Sequence, residues 1–238
     1  MTVSLTSLKQ SLHAGLTAVA QGADPALIYH SNAQLWASHP FNQLQGLEAI
    51  RRVWSQLRYA LPDMQRRDQI FVAGNSKADA RMPDDLEGRV LVASMGHYQG
   101  SFVNDLCGIP ATHGVVNLRV CEVHHLVEGK IAQSYVMLDL LDLMGQAGCW
   151  PIAPSLGAEG MWSGPATNDG VRLHTSDPAG GQTAFDTVIA MHNALGSFDG
   201  KSLDSMQHGA YWADNFLWYG PSGIGQTRGM TGFRAHHQ

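Results

Sequence analysis

Positive charge is scarce in this chain and is nowhere gathered. Its 238 residues hold 15 lysines and arginines against 20 aspartates and glutamates, for a net charge of −5. Without a basic patch to neutralise phosphates, the chain has no electrostatic footprint for nucleic acid or for an anionic membrane surface. A small hydrophobic or neutral ligand fits better. Cysteine is nearly absent too: Cys107, Cys121 and Cys149 are three in number, with neither CxxC nor Cys/His ligand spacing, which argues against a disulfide framework and against zinc. No metal and no cofactor are expected. Long apolar runs are missing: none approaches the length that crosses a bilayer, and MTVSLTSLKQ has no basic region followed by an apolar stretch and a cleavage site. The compartment expected from these absences is the cytoplasm.

What is present is a globular composition, 44% apolar, sufficient for one large or two ordinary domains. Leu8, Leu12, Leu16 and Val19 fall at helical spacing between Ser7 and Ala20, and Asp24-Pro25 opens a second short helix toward Ala33. Leu35 to Pro40 reads as a strand stopped by its proline, and Leu47, Ile50, Val53, Trp54 and Leu57 line one face of a helix that Pro62 ends. The period then changes. Gln69 to Ala73, Val90 to Gln99, Val115 to Val127 and Ile131 to Leu141 read as strands, with Val127-Glu128-Gly129-Lys130 as a hairpin turn. Helices followed by an antiparallel meander make the fold class α+β. The charged stretch at 76–89 reads as a solvated loop or as a lid.

Residues 149–181 contain ten glycines and prolines among 33 positions and read as a linker. Its Trp150, Met161 and Trp162 are costly to leave in water, so the linker is expected to lie against a domain surface. Beyond it the opening of the chain returns. Leu35-Trp36, His39-Pro40, Gly46 and Ile50-Arg51 recur as Leu217-Trp218, Gly220-Pro221, Gly229 and Phe233-Arg234, and Thr183 to Leu195 resumes helical spacing. Two tandem copies of one unit are implied: 1–148 is the first, and 182–238 holds only the helices, first strand and start of the third helix of the second. Its sheet would begin where the sequence reaches Gln238. The apolar surface of such an incomplete copy must be covered by copy one, the linker or another molecule.

Five segments occur in order: Gly96-His97-Tyr98-Gln99-Gly100, Gly108-Ile109-Pro110-Ala111-Thr112, Glu128-Gly129-Lys130-Ile131, Asp139-Leu140-Leu141 and Gln146-Ala147-Gly148. Together they resemble the signature of the SnoaL-like polyketide cyclase branch of the nuclear transport factor 2-like superfamily, over about residues 5–148. Ala60-Leu61-Pro62-Asp63 is similar to that family's step after its third helix, and Trp218-Tyr219-Gly220-Pro221 and Thr227-Arg228-Gly229 resemble the same family in the second copy. The resemblance implies a cone of helices packed on a strongly bent antiparallel sheet, and a cofactor-independent enzyme of cyclase, isomerase or lyase type. It places the acid/base aspartate at Asp139.

In such a cone, alternate residues of each strand line an apolar cavity. With Asp139 inward, parity adds Gln133, Tyr135 and Met137, and across the hairpin His125, Val123, Cys121 and Arg119. A bulge would turn every one of them around. A carboxylate stripped of water can take a proton from carbon next to a carbonyl, and His97, Tyr135 or Arg119 can donate to the resulting enolate. The alternative reading of Asp139 and Arg119 is an internal ion pair, which would weaken the base. His97 is a pocket residue or an ordinary hydrogen-bonded histidine; His39 is a cavity residue or a loop residue beside Pro40; Trp54 closes the cavity mouth or belongs to the core. His124 and His125 face opposite sides of one strand, so they cannot share a metal. Departures from the family pattern leave the substrate contacts open: Gln133-Ser134-Tyr135-Val136 replaces a common acidic, histidine and tryptophan set. Two other functions stand beside the enzyme: a non-catalytic small-molecule-binding module, and assembly as a homodimer through the outer face of the sheet.

Overall fold

The computed structural model describes residues 4–77 and 87–236. Two compact units emerge: Met1–Ile152 with Gly160–Thr175, and Ala153–Glu159 with Ser176–Gln238. The fold class is α+β. In unit 1, α1 (Leu5–Ala20) is capped by Ser4, whose hydroxyl accepts from the Ser7 N–H, and buries Leu12, Leu16 and Val19. The chain continues through β1 (Tyr29–Ala37), β2 (Gln43–Gln45), α2 (Leu47–Ala60), β3 (Gln65–Asn75), β4 (Val90–Ser101), β5 (Val115–Val127), β6 (Lys130–Leu138) and α3 (Leu140–Gln146). The six strands form one curved sheet in the order β2-β1-β6-β5-β4-β3.

Local differences from the sequence reading follow from pairing. The helix expected after Asp24 is a single 3-10 turn, Pro25–Leu27, because β1 begins at Tyr29 to pair with β6. That pairing is parallel and every other one in the sheet is antiparallel. The strand expected to reach Leu141 stops at Leu138, and Asp139 caps α3 by accepting from the Asp142 N–H. The predicted lid segment lies largely at 78–86, outside the described residues.

The β5–β6 hairpin turns on Glu128 and Gly129, both at positive φ, as a two-residue primed turn requires. It pairs His125 with Gln133, Val123 with Tyr135 and Cys121 with Met137. These are the partners the sequence predicted, but the face is the opposite one. The helices α1 and α2 cover the side carrying Val92, Tyr98, Leu118, Val120 and Leu138, all buried, with Trp54 of α2 edge-on to Tyr98 at 5.7 Å. The other parity points outward, where Met137 is 62% and Tyr135 46% exposed.

Part of that outer face is covered by the linker. Gly160–Thr175 runs over it as a strap: Trp162 is buried, the Phe71 N–H donates to Gly170 O and the Arg172 N–H to Phe71 O. The strap thereby occupies the free edge of β3, which would otherwise present unpaired backbone groups. Lys9 of α1 donates to Thr175 O, and Gln10 pairs with His174. Of the linker's apolar side chains, Trp150 packs at Gly145 of α3, whereas Met161, expected to be covered, is 58% exposed.

Unit 2 consists of α4 (Pro178–Leu195), two 3-10 turns, the two-residue strands β7 (Leu217–Trp218) and β8 (Thr227–Arg228), and α5 (Gly229–Ala235). Its small core is aromatic: Phe233 lies edge-on to His208, Trp212, Phe216 and Trp218. Most of α4 is solvent-exposed, with only Ala194 buried.

Gly96 tests the inner packing. A Cβ there would lie 2.2 Å from Arg67 O, where β3 bulges between Asp68 and Ile70. Backbone cannot give way as a side chain can, so Gly96→Ala is expected to destabilise unit 1 by about 2 kcal/mol or more, read as a lowered urea midpoint. An unchanged midpoint would show that the bulge relaxes freely.

Candidate functional site

Asp139 sits at the outer end of the hairpin, 12% exposed at its side chain, with Oδ2 3.2 Å from Arg119 Nη1 and Oδ1 accepting from the Asp142 N–H at 3.1 Å. Of the two readings, the structure shows the internal ion pair. Arg119 is fully buried. Its Nη2 lies 3.4 Å from Asp142 Oδ1, its Nε donates to Gly160 O at 2.7 Å, and its guanidinium lies 5.2 Å from the Trp162 ring centroid. His97, paired with Arg119 across β4–β5, accepts the Trp162 N–H at Nε2, 3.0 Å away. Asp139, His97 and Arg119 are therefore brought together, but on the outer face under the strap and not in the cone.

The other predicted lining residues are displaced for the same reason of parity. Cys121, Tyr135 and Met137 lie on the outer face, Tyr135 stacked on Trp36 at 4.9 Å. His125 is buried on that face, with Nδ1 3.3 Å from Gln133 Oε1 and 3.4 Å from Arg89 Nη1, and Gln133 reaches Gln34. His39 is exposed in the turn after β1. Trp54 belongs to the core.

The concave face holds a different set. Arg66 on β3 contacts Glu122 at 2.6 Å and Asp68 at 2.9 Å, and donates to Ser94 at 2.7 Å and Tyr98 at 3.3 Å. Glu122 also accepts from Tyr98 Oη at 2.5 Å and Ser94 Oγ at 2.9 Å. Beyond it, His124 places Nε2 3.5 Å from Glu122 and Nδ1 2.8 Å from Ser134 Oγ. From α1, His13 reaches Asp68 at 3.1 Å. Glu122, His124 and Ser134 are all buried. Burial alone would raise the Glu122 carboxyl, but the charge of Arg66 and the contact with His124 outweigh it and hold the group well below the usual carboxylate range. Burial and the neighbouring Glu122 charge push the Tyr98 phenol well above its usual value, so it stays a hydrogen-bond donor. An anion, an imidazole and a permanently protonated phenol thus share one interface between helices and sheet.

Sequence reasoning missed these residues, although a signal existed. On β5 the even positions hold Val116, Leu118, Val120 and Leu126, an apolar set uninterrupted from 116 to 120, while the odd ones between hold Asn117 and Arg119; this marks the even face as the core face and singles out Glu122 and His124 as polar residues in an apolar register. Among the described residues no three His, Cys, Asp or Glu side chains converge as metal ligands. No helix there is long and apolar enough to cross a membrane.

A scan against family models finds no match, and a search of curated proteins finds none either. Many solved structures are similar to the chain, three of them as follows. They are IdmH of Streptomyces antibioticus, provisionally a polyketide cyclase (17% identity, 61% of this chain and 99% of that one, TM-score 0.46); TsrD of Streptomyces laurentii (18%, 62% and 99%, 0.46); and a provisional SnoaL-like polyketide cyclase from Jannaschia (15%, 65% and 99%, 0.43). Identity this low transfers no residue roles.

The outer cluster carries two opposed titrations. Burial and the Arg119 charge lower the His97 imidazole to about 4. Burial raises the Asp142 carboxyl to about 6, against the pull of Arg119 and Gln146. Between the unfolded value of 6.5 and about 4, folded His97 holds fewer protons than unfolded His97, so its contribution is lost as pH falls. Folded Asp142 holds more protons than unfolded Asp142 between about 6 and 3.8, so its contribution grows as pH falls. Relative to the unaltered chain, Asp142→Asn should lose stability more steeply from pH 6.5 to 4, and His97→Gln less steeply, in urea midpoints taken across that range. Parallel curves for all three proteins would contradict both assignments.

Proposed function

We propose that unit 1 acts on a hydrophobic small molecule by moving a proton next to a carbonyl, without a cofactor, as its SnoaL-like resemblance implies. The reaction is a cyclisation, isomerisation or lyase step. The proton chemistry is assigned to the concave network and not to Asp139. The observation that carries this reading is the single Glu122 carboxylate in contact with both Tyr98 and His124. Burying a charge costs several kcal/mol unless it is paired, and strongly shifted groups gathered at one interface are a candidate functional site. In this arrangement a bound substrate takes the Tyr98 hydroxyl over from Glu122, so that Tyr98 donates to the enolate oxygen while His124 accepts the proton from carbon, and Glu122, held by Arg66, orients the imidazole. Asp139, engaged with Arg119 and the start of α3, does not take part.

The test is turnover of a panel of carbon-acid substrates. His124→Gln is expected to lower the rate at least about a hundredfold at an unchanged unfolding midpoint, while Asp139→Asn keeps the rate. The reverse pattern would return the chemistry to Asp139.

A second reading, a non-catalytic module that assembles through the outer face, is favoured by the exposed Tyr135, Met137 and Val123 beside Trp36. Contiguous apolar surface of this kind marks interaction sites. It calls for a homodimer that Met137→Lys converts to monomer in sedimentation; a monomeric unaltered chain would exclude it.

The order of unit 2 supports a tandem origin. A helix, two 3-10 turns, a short antiparallel strand pair and a helix follow the order of element types in α1, Pro25–Leu27, β1, β2 and α2, where one such turn stands, and Gly46 and Gly229 stand at corresponding points, both at positive φ. We read unit 2 as the opening elements of a second such domain.

A further inference from the structure

The outer cluster engages two residues of the strap, Gly160 and Trp162, through three backbone hydrogen bonds. Arg119 Nε donates to Gly160 O, Asp142 Oδ1 accepts the Gly160 N–H at 3.4 Å, and His97 Nε2 accepts the Trp162 N–H. All three side chains are buried. Two of them are also held independently of the strap: Asp142 is held by Gln146 at 2.6 Å, Gln146 by both backbone groups of Asn117, and Arg119 by Asp139. Backbone hydrogen bonds carry no sequence preference, but the side chains between them do. Gly160 has φ +91°, which L side chains rarely adopt. Met161 points to solvent. The Trp162 ring lies beneath the Arg119 guanidinium and 5.9 Å from the His97 ring, a cation–π geometry that favours tryptophan over other apolar residues.

We propose that His97, Arg119 and Asp142 form a docking socket for a Gly-x-Trp peptide bent at its glycine, occupied here in cis by Gly160, Met161 and Trp162. The first position requires glycine for its backbone conformation, the second is free, and the third requires a flat aromatic ring under the guanidinium. The socket lies on the face of the sheet opposite the Glu122 network, so it is separate from the proposed chemistry. It holds the strap across the outer face and along the β3 edge.

A cis segment outcompetes a free peptide through its effective concentration, so the test vacates the socket. The full chain carrying Trp162→Ala is titrated calorimetrically with the blocked pentapeptide Glu-Gly-Met-Trp-Ser, the sequence of 159–163. Saturable binding is expected, weakened at least about tenfold, or 1.4 kcal/mol, when the peptide's tryptophan becomes alanine, when its glycine becomes valine, or when the protein also carries His97→Ala. Absence of saturation up to about 10 mM, a concentration above the millimolar range typical of tethered segments, or equal binding of the tryptophan-free peptide, overturns the proposal. Should Trp162→Ala fail to fold by circular dichroism, the titration is repeated on Trp162→Leu, which keeps apolar volume beside Arg119 without the flat ring. Saturable binding that is lost when the peptide's tryptophan becomes alanine supports docking, and no saturation up to about 10 mM overturns it.

Discussion

The register of the β5–β6 hairpin is the constraint on which the rest of unit 1 depends. A two-residue turn at Glu128 and Gly129 leaves a single way of pairing the strands, and the period of two then sends each side chain to one face or the other. Every important group of the domain is sorted by this step. Glu122, His124 and Ser134 go toward the helices; Arg119, Cys121, His125, Tyr135 and Met137 go away from them. A slip of one residue would bury Arg119 in the core and expose Glu122, leaving two charges without partners. The turn is therefore held by electrostatics on both faces as well as by its own backbone.

Each face carries one buried guanidinium, and the two are used differently. Arg66 inside is bound by Glu122 and Asp68, and the network it anchors extends through Glu122 to Tyr98 and His124. Arg119 outside is bound by Asp139 and Asp142, and its remaining donor goes to backbone of the strap. The inner arginine organises side chains, while the outer one organises chain. Replacing either by an apolar residue would leave two carboxylates buried without a cation, which is more damaging than losing the pair as a whole.

The strap ties the two ends of this arrangement together. It meets β4 and β5 at Trp162, the edge of β3 at Val171 and α1 at Thr175. An edge strand that would invite pairing with another chain is thereby closed by the protein's own linker, and part of the outer face is covered while Tyr135 and Met137 stay exposed. The glycine-rich composition of this segment has a structural reason: Gly160 and Gly170 stand where the chain turns or passes close to β3, and a Cβ at Gly170 would lie 2.2 Å from Gln69 O.

Much of this was legible in the residues alone. Composition excluded a basic surface, helical spacing placed α1 and α2, turn chemistry placed the hairpin and its partners, and three large apolar side chains predicted a docked linker, of which Trp162 is buried and Met161 is not. The pairing of Tyr135 with Val123 was correct while its direction was reversed, because alternation defines two faces and says nothing by itself about which one the helices cover. The apolar residues Val116, Leu118 and Val120 carried that information, and the familiar position of Asp139 outweighed them. Sequence determined which residues share a face, since covalent geometry fixes a period of two. Only the packed structure decided which face is dry, because that depends on where helices distant in the chain come to rest.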